Sequence, residues 1–327
     1  MHKILLTAAL VMGLGLPGAS AAEFQPAVIF DMGGKFDGSF NEAAYNGAER
    51  FREEFGIDYL EFEITNESQR DQALGRMASR GADIIVAVGF AFATPLESVA
   101  AENPDTKFTI IDSVVEAPNV QSIVFKEHEG SFLVGMAAAL ASEGDTVGFV
   151  GGMDIPLIRN FLVGYEQGVA HVDPETEVLV NFTGDTAAAW NDPAKGAELA
   201  ISQFDRGAAV VYHAAGGTGM GVLQAAADRG KLGIGVDSNQ NGLFPGHVLT
   251  SMLKRVDVAV YESFKQAMEG TWEPGTRTLG LAEEGVDWAL DENNAALVSE
   301  DMKTEVEAAK AQIIDGELEV QDYYSMQ

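Results

Sequence analysis

The chain contains no cysteine. That absence removes disulfides, thiolate nucleophiles and cysteine-ligated zinc. Positive charge is also scarce. Twenty Lys and Arg stand against 50 Asp and Glu, a formal net charge of −30 over 327 residues. Nucleic-acid phosphates and anionic membrane surfaces would be repelled, so neither is an expected partner. The acids are spread along the whole sequence, which reads as a solubilising surface and not as a docking face. Histidines number five. None falls in an H-E-x-x-H pairing, and no G-x-S-x-G elbow occurs. No catalytic set emerges, no metal site is expected, and nothing calls for a cofactor. Beyond the first residues no apolar run is long enough to cross a bilayer.

What is present begins with a leader. Lys3 gives a short basic region, Ile4–Leu16 an apolar stretch too short for a comfortable span, and Ala19–Ala21 a small-residue cleavage site. Residues 1–21 are therefore expected to be a signal peptide, with a mature start near Ala22 in the periplasm. No cysteine stands at that junction to accept lipid, so the expectation is a free monomer without a lipid anchor. Apolar residues make up 46% of the chain. At this length there is enough to bury one large core or two medium ones.

Short runs rich in Val and Ile recur at "PAVIF", "DIIVAVG", "KFTIID", "TVGFVGG", "AAVVYHAAG" and "LGIGVD", each ending in Gly or Asp. Continuous apolar runs suit parallel strands buried on both faces. Helical patterns lie between them, as in the stripe Phe40, Ala44, Tyr45, Ala48, Phe51, Phe55, closed by Gly56. The alternation predicts an α/β protein with parallel sheets. "RGADIIVAVG" from Arg80 resembles "RGAAVVYHAAG" from Arg206, and Asp112 and Asp237 follow at matching distances. Two similar lobes in tandem would produce such a repeat. Extended segments near "SIVFKEHEG" and "HVLTSMLKR" break the alternation, and the chain is expected to cross between lobes there. The spacing divides it into lobe one, 22–126 and 250–278, and lobe two, 127–249 and 279–327.

Ligands of such sheets sit outside the carboxyl ends of the strands. Asp31, Asp112 and Asp237 all close strand-like runs and should face a shared cleft. The stretch "DMGGKFDGSFNEAAYNG" from Asp31 adds bare backbone at Gly33 and Gly34, a flat face at Phe40 and an amide at Asn41. "SFNE" reads as a capping box, with Ser39 as N-cap and Glu42 reaching back. The set suits a flat polar ligand bearing hydroxyls. Asp31 and Asp37 could instead cap turns, with Phe40 in the core. "GGTGMG" from Gly216 lacks the spacing of a dinucleotide loop and the lysine of a P-loop, so it reads as a site of close backbone approach. "DSNQNG" from Asp237 imitates a calcium loop, but Val248 stands where a bidentate Glu is needed. Lys254 lies in a predicted crossing, and Trp190 in a loop.

These segments, with "GFVGGMDIPLIRNFLVGYEQG", "AAGGTGMGV", "IGVDSNQ" and "LTSMLK" in order from Ala27 to Lys254, resemble the basic membrane protein family. Its members are substrate-binding proteins of ABC importers and include purine nucleoside receptors. The resemblance implies a type I periplasmic binding protein fold, with two doubly wound parallel-sheet lobes joined by a hinge. It implies a purine nucleoside stacked between Phe40 and Trp190. Asn41 and Asp112 would contact the base edge; Asp31, Asp237 and Lys254 would contact the ribose, with backbone near Gly216. ABC permease subunits would be the protein partner. Two positions depart from the family: Trp190 stands where relatives usually carry Phe, and Glu42 where Gln is frequent. A sugar-binding protein of the same fold and a ligand sensor for a membrane receptor are the alternatives, and an enzyme such as a nucleoside hydrolase is more remote.

Overall fold

A computed structural model describes residues 24–142 and 146–326. The expected leader, with Lys3 and the site near Ala22, lies outside the described residues. The first half of the chain runs β1 (Pro26–Phe30), α1 (Phe40–Phe55), β2 (Leu60–Glu63), α2 (Arg70–Ser79), β3 (Ile84–Val88), α3 (Ala93–Glu102), β4 (Lys107–Ile111), β5 (Val120–Phe125) and α4 (Glu127–Ser142). The second repeats the path: β6 (Val147–Met153), α5 (Pro156–Val172), β7 (Val178–Gly184), α6 (Pro193–Asp205), β8 (Val210–Ala214), α7 (Gly219–Asp228), β9 (Leu232–Asp237), β10 (Val248–Lys254) and α8 (Val256–Glu269). A C-terminal segment adds β11 (Gly275–Leu279), β12 (Val286–Trp288) and α9 (Glu300–Ile314).

Two six-stranded sheets result, ordered β2-β1-β3-β4-β5-β11 and β7-β6-β8-β9-β10-β12. Position for position the two orders match. The two repeated segments supply β3 and β8, which occupy the same place in their sheets. Among the described residues every pairing is parallel except β10 with β12. The strand sequences explain this arrangement. β1, β3 and β8 are buried along their whole length, so both faces need a helical cover, which only crossover connections supply. The expected α/β class with two parallel-sheet lobes stands.

The last helix of each half crosses to the other lobe. α4 packs on α5 and β10 of lobe two, and α8 on α1 of lobe one. After the charged first turn of α4, "EHEGSFLVGMAAALAS", the helix is apolar all round, and nearly all of it is buried. Gly164 and Gly168 of α5 face the backbone of α4 so closely that a Cβ on either would overlap a carbonyl, at His128 and Phe132 respectively. Gly47 of α1 meets the carbonyl of Asp257 in α8 in the same way.

Strand pairing also moves one expected boundary. β10 belongs wholly to the second sheet, so the second crossing falls at Arg255, not at 250. The period-two run in "HVLTSMLK" continues lobe two, and the break in pattern comes only with the helix that follows. The third crossing lies near Gly280, between β11 and β12.

The capping box expected at α1 is not formed. Ser39 makes no side-chain cap. Asp37 does this work: its Oδ1 accepts from the N–H of Ser39 (2.8 Å) and Glu42 (3.1 Å), and its Oδ2 from the N–H of Asn41 (3.1 Å). One carboxylate thus satisfies three free donors of the first turn. Glu42 does reach back, accepting from Gly38 N at 3.0 Å. Ser39 is released for another partner across the cleft.

Candidate functional site

The carboxyl ends of the strands of both sheets open on one cavity between the lobes, about 620 Å³ including its mouth. All eight residues singled out in the sequence line it. Lobe one contributes Asp31 after β1, Phe40 and Asn41 at the start of α1, and Asp112 after β4. Lobe two contributes Trp190 from the turn before α6, Gly216 after β8, Asp237 at the end of β9 and Lys254 at the end of β10. Asp112 and Asp237 occupy equivalent places in the repeat, and both have left-handed backbone, φ 69° and 63°. Acid side chains tolerate this region better than most. Two such residues at matching strand ends mark where a constrained backbone has a use.

Lys254 is the electrostatic centre. Its side chain is 1% exposed, and its Nζ lies 2.7 Å from Asp112 Oδ1 and 3.1 Å from Glu127 Oε1. Three rings surround the ammonium, those of Phe40, Phe125 and Phe161, with centroids at 5.1 to 5.3 Å. Burial alone would lower the lysine's pKa; Asp112, Glu127 and Asp237 outweigh it and raise it, so the ammonium stays charged. Burial pushes Asp237 up to about 7, against the pull of Lys254 and a hydrogen bond from Ser39. The same cause raises Glu127, again opposed by Lys254. A single lysine therefore faces three buried acids.

On the lobe one wall, burial raises Asp31, while Arg70 opposes it. Arg70 Nε donates to Asp31 Oδ1 at 2.9 Å and its Nη2 lies 2.8 Å from the same oxygen. This orients the carboxylate toward the cavity. Asn41 lines the cavity and is held by the loop around it. Its Oδ1 accepts from Asp31 N at 3.2 Å, and its Nδ2 donates to the carbonyls of Asp31 (3.1 Å) and Gly34 (3.2 Å). The amide thus ties the β1–α1 loop together. It shapes the wall, and both of its polar ends make backbone hydrogen bonds.

The aromatic faces come from both lobes. Phe40 and Phe90 belong to lobe one, Trp190 and Phe161 to lobe two. The rings of Phe90 and Trp190 meet edge to face across the cleft, centroids 6.5 Å apart at 68°. Trp190 has room because Gly152 of β6 is bare; a Cβ there would overlap the indole. Thr218 Oγ1 donates to the carbonyl of Ala189 at 2.8 Å and accepts from Asp192 N at 2.7 Å, which pins the turn that carries the Trp.

The lobes are also bonded to each other at the cavity rim. Ser39 Oγ, free of capping, donates to Asp237 Oδ2 at 2.6 Å. Ser238 Oγ donates to the Ser39 carbonyl at 2.9 Å, and Gln240 Nε2 to the Gly38 carbonyl at 2.8 Å. Gln240 is itself fixed by His213, whose Nε2 lies 2.9 Å from its Oε1, and by Val236 N. Burial lowers His213 to about 4, so the ring is neutral. This network ties the two lobes together at the rim of the cavity.

Sequence reasoning missed Arg70, Glu127 and Phe161, which act over long chain separations, as Arg70 does on Asp31. Asp37, offered by the sequence as a turn cap, takes that role at the start of α1.

Comparison with known proteins agrees with this architecture. Residues 24–323 match the family model described as ABC transporter substrate-binding protein PnrA-like. An uncharacterized lipoprotein of Pyrococcus horikoshii is 40% identical over 280 residues, 81% of this chain and 69% of the relative. A protein of Lactococcus lactis named ABC transporter nucleoside-binding protein is 31% identical, over 94% of this chain and 91% of the relative. The crystal structure of an ABC transporter solute-binding protein from Aeropyrum pernix has 32% identity and a TM-score of 0.84, covering 90% of this chain and 92% of that one. The lipoprotein names, shared by relatives from Pyrococcus abyssi and Pyrococcus furiosus, overturn the expectation of a free protein with no lipid anchor. A missing cysteine is too narrow a basis for placing the chain. With nearly the whole sequence matched and a neighbour of the same two-lobed architecture, the chain belongs to the PnrA-like family of ABC transporter substrate-binding proteins.

Proposed function

We propose that the chain binds a purine nucleoside between its lobes and presents it to the permease subunits of an ABC importer. The observation that carries this reading is the composition of one cavity. Flat aromatic faces enter from opposite lobes at Phe40 and Trp190, while Asp31, Asp112, Asp237 and Lys254 gather charged hydrogen-bonding groups beside them. A purine supplies the faces, and a ribose supplies hydroxyls that can donate to carboxylates and accept from an ammonium. The nucleoside-binding name of the Lactococcus lactis relative supports the same reading. Asp112 reaches the ligand alongside Lys254, and Asn41 supports the loop that holds Asp31. The role is binding, without chemical conversion. The lobes open about the crossings at Lys126, Arg255 and Gly280, and the rim latch closes them over the ligand.

A thermal-shift screen of nucleosides, free bases and monosaccharides tests the proposal, because a ligand that binds only the folded chain raises Tm. Inosine, guanosine or adenosine should raise it strongly and monosaccharides should not. A shift produced by sugars alone would replace the nucleoside with a sugar. Release of free base from inosine on incubation would make the chain an enzyme.

A further inference from the structure

Lys254 is held by one residue that neither the sequence pattern nor the ligand chemistry requires. Glu127 is the first residue of α4, at the first lobe crossing, and is 2% exposed. One of its oxygens lies 3.1 Å from Lys254 Nζ. The other accepts from Asn160 Nδ2 at 2.8 Å. Asn160 is also 2% exposed and sits on α5. Its remaining polar atom, Oδ1, accepts from the backbone N–H of Tyr323 at 3.1 Å. Tyr323 belongs to the C-terminal tail, which follows α9 and lies beside the first lobe crossing, where it shares a cavity with Lys126, Glu127 and Asn160.

The tail is fastened where it makes this contact. Gln321 N donates to Gln167 Oε1 at 3.0 Å, and Gln167 Nε2 donates back to the Gln321 carbonyl at 2.9 Å. Val320 is buried beside them. Asn160 and Gln167 are seven residues apart, so both lie on one face of α5. Leu157, Ile158 and Phe161 of the same helix line the ligand cavity. α5 therefore stands between cleft and tail and touches both.

We infer that Glu127 is a positioning residue for Lys254, and that the C-terminal tail holds Glu127 in place through Asn160. A buried carboxylate needs donors on both oxygens. Without Asn160, Oε2 of a carboxylate that is 2% exposed loses its protein donor, and Glu127 must rotate, take a proton or turn to the adjoining cavity for a donor. Each of these changes leaves Lys254 with Asp112 as its one close carboxylate, and the ammonium swings toward lobe one. The hydroxyl-binding geometry of the cleft then depends on a tail that never touches the ligand. Lys254 and Asp112 carry the ligand contacts in the proposed function; Glu127, Asn160 and the tail act through Lys254.

The affinity readout rests on the nucleoside reading, so the test has a second arm that needs no ligand. Asn160→Leu removes the donor at similar volume, Glu127→Gln keeps the shape and removes the charge, and Tyr323→Pro removes the tail's N–H. In the ligand-free protein labelled with ¹⁵N-lysine, each variant should shift the Lys254 Nζ resonance while leaving those of surface lysines in place. Inosine affinity should fall about tenfold in Asn160→Leu, the scale of one lost hydrogen bond to a charged group. The Glu127→Gln, Asn160→Leu double variant should bind no more weakly than Glu127→Gln alone, because both act on one path. An unmoved Lys254 resonance in Asn160→Leu, or effects that multiply in the double variant, would overturn the inference. If Asn160→Leu does not fold, the Lys254 resonance in Tyr323→Pro decides. If the wild type binds no nucleoside, the proposed function fails, and the lysine resonances still decide whether Glu127 positions Lys254.

Discussion

Replacing Ser39 with Ala tests whether the rim contacts form a closing latch. The substitution removes the 2.6 Å bond from Ser39 Oγ to Asp237 Oδ2 and leaves the backbone contacts of Ser238 and Gln240 intact. Ser39 makes no helix cap, and Asp37 keeps that role, so α1 should be unharmed. A hydrogen bond to a charged group contributes about 1.5–3 kcal/mol. Because the bond joins two lobes, its loss falls on the closed state and not on the folding of either lobe. Apparent affinity scales with the closed fraction, so nucleoside Kd should rise by about one to two decades, at about 1.4 kcal/mol each. The effect should shrink below pH 6, where Asp237, with its pKa raised to about 7, is protonated and the bond is no longer charge-assisted. Calorimetry gives the Kd, and differential scanning calorimetry of the ligand-free variant should show a Tm close to wild type. A Kd within twofold of wild type at pH 8 would refute the latch. A large loss of Tm would place the bond in folding instead.

Phe40→Ala and Trp190→Ala should each weaken nucleoside binding about tenfold to a hundredfold, since stacking on an aromatic contributes about 1–3 kcal/mol per base; titration calorimetry reads this, and wild-type affinity in Trp190→Ala would make that ring structural. Gly152→Ala should also weaken binding and shift tryptophan fluorescence, because its Cβ would displace the Trp190 ring; an unchanged emission spectrum and Kd would contradict the packing. Stability of the ligand-free protein should fall as pH rises from 6.5 to 8, above the range where His213, lowered to about 4 by burial, contributes in the opposite sense. Burial raises Asp37 to about 6 and Asp237 to about 7, so the folded state holds protons that the unfolded chain has released, and that stabilisation is lost through their folded pKa values. Thermal melts should show the slope and Asp237→Asn should flatten it; a Tm that rises with pH would be the wrong sign. A neutral ligand should bind with little salt dependence, so a steep decline with added salt would point to a charged one.

Strand ends were the most legible part of the sequence. Parallel strands buried on both faces leave an unmistakable apolar run, and the residue that stops the run lies at the cleft by geometry. Asp31, Asp112 and Asp237 are therefore found from pattern alone. Phe40 and Asn41 follow because a helix start adjoins one of those ends. What such reading misses is the layer behind. Arg70 reaches Asp31 across 39 residues, and Glu127 reaches Lys254 across a lobe crossing; neither is recorded by local periodicity. Ser39 misled because a capping signature and a free hydroxyl look the same in sequence. Asp37, two residues earlier, reached the helix donors first. The boundary at 250 failed for a related reason. β10 is extended along its whole length, so only its pairing partners reveal the lobe to which it belongs. The all-round apolar character of α4 was a signal for a helix buried between layers, and it explains why that helix crosses.

The central claim is that a purine nucleoside is held between the two lobes by both of them at once. Isothermal titration of inosine into wild type, alongside Phe40→Ala, Trp190→Ala and the double variant, measures it most directly. One site per chain is expected in the wild type, with a loss in each single variant and a loss in the double variant smaller than the sum of the two free energies, because both rings act on one base. Absence of binding to every purine nucleoside, or binding untouched by both substitutions, would contradict it.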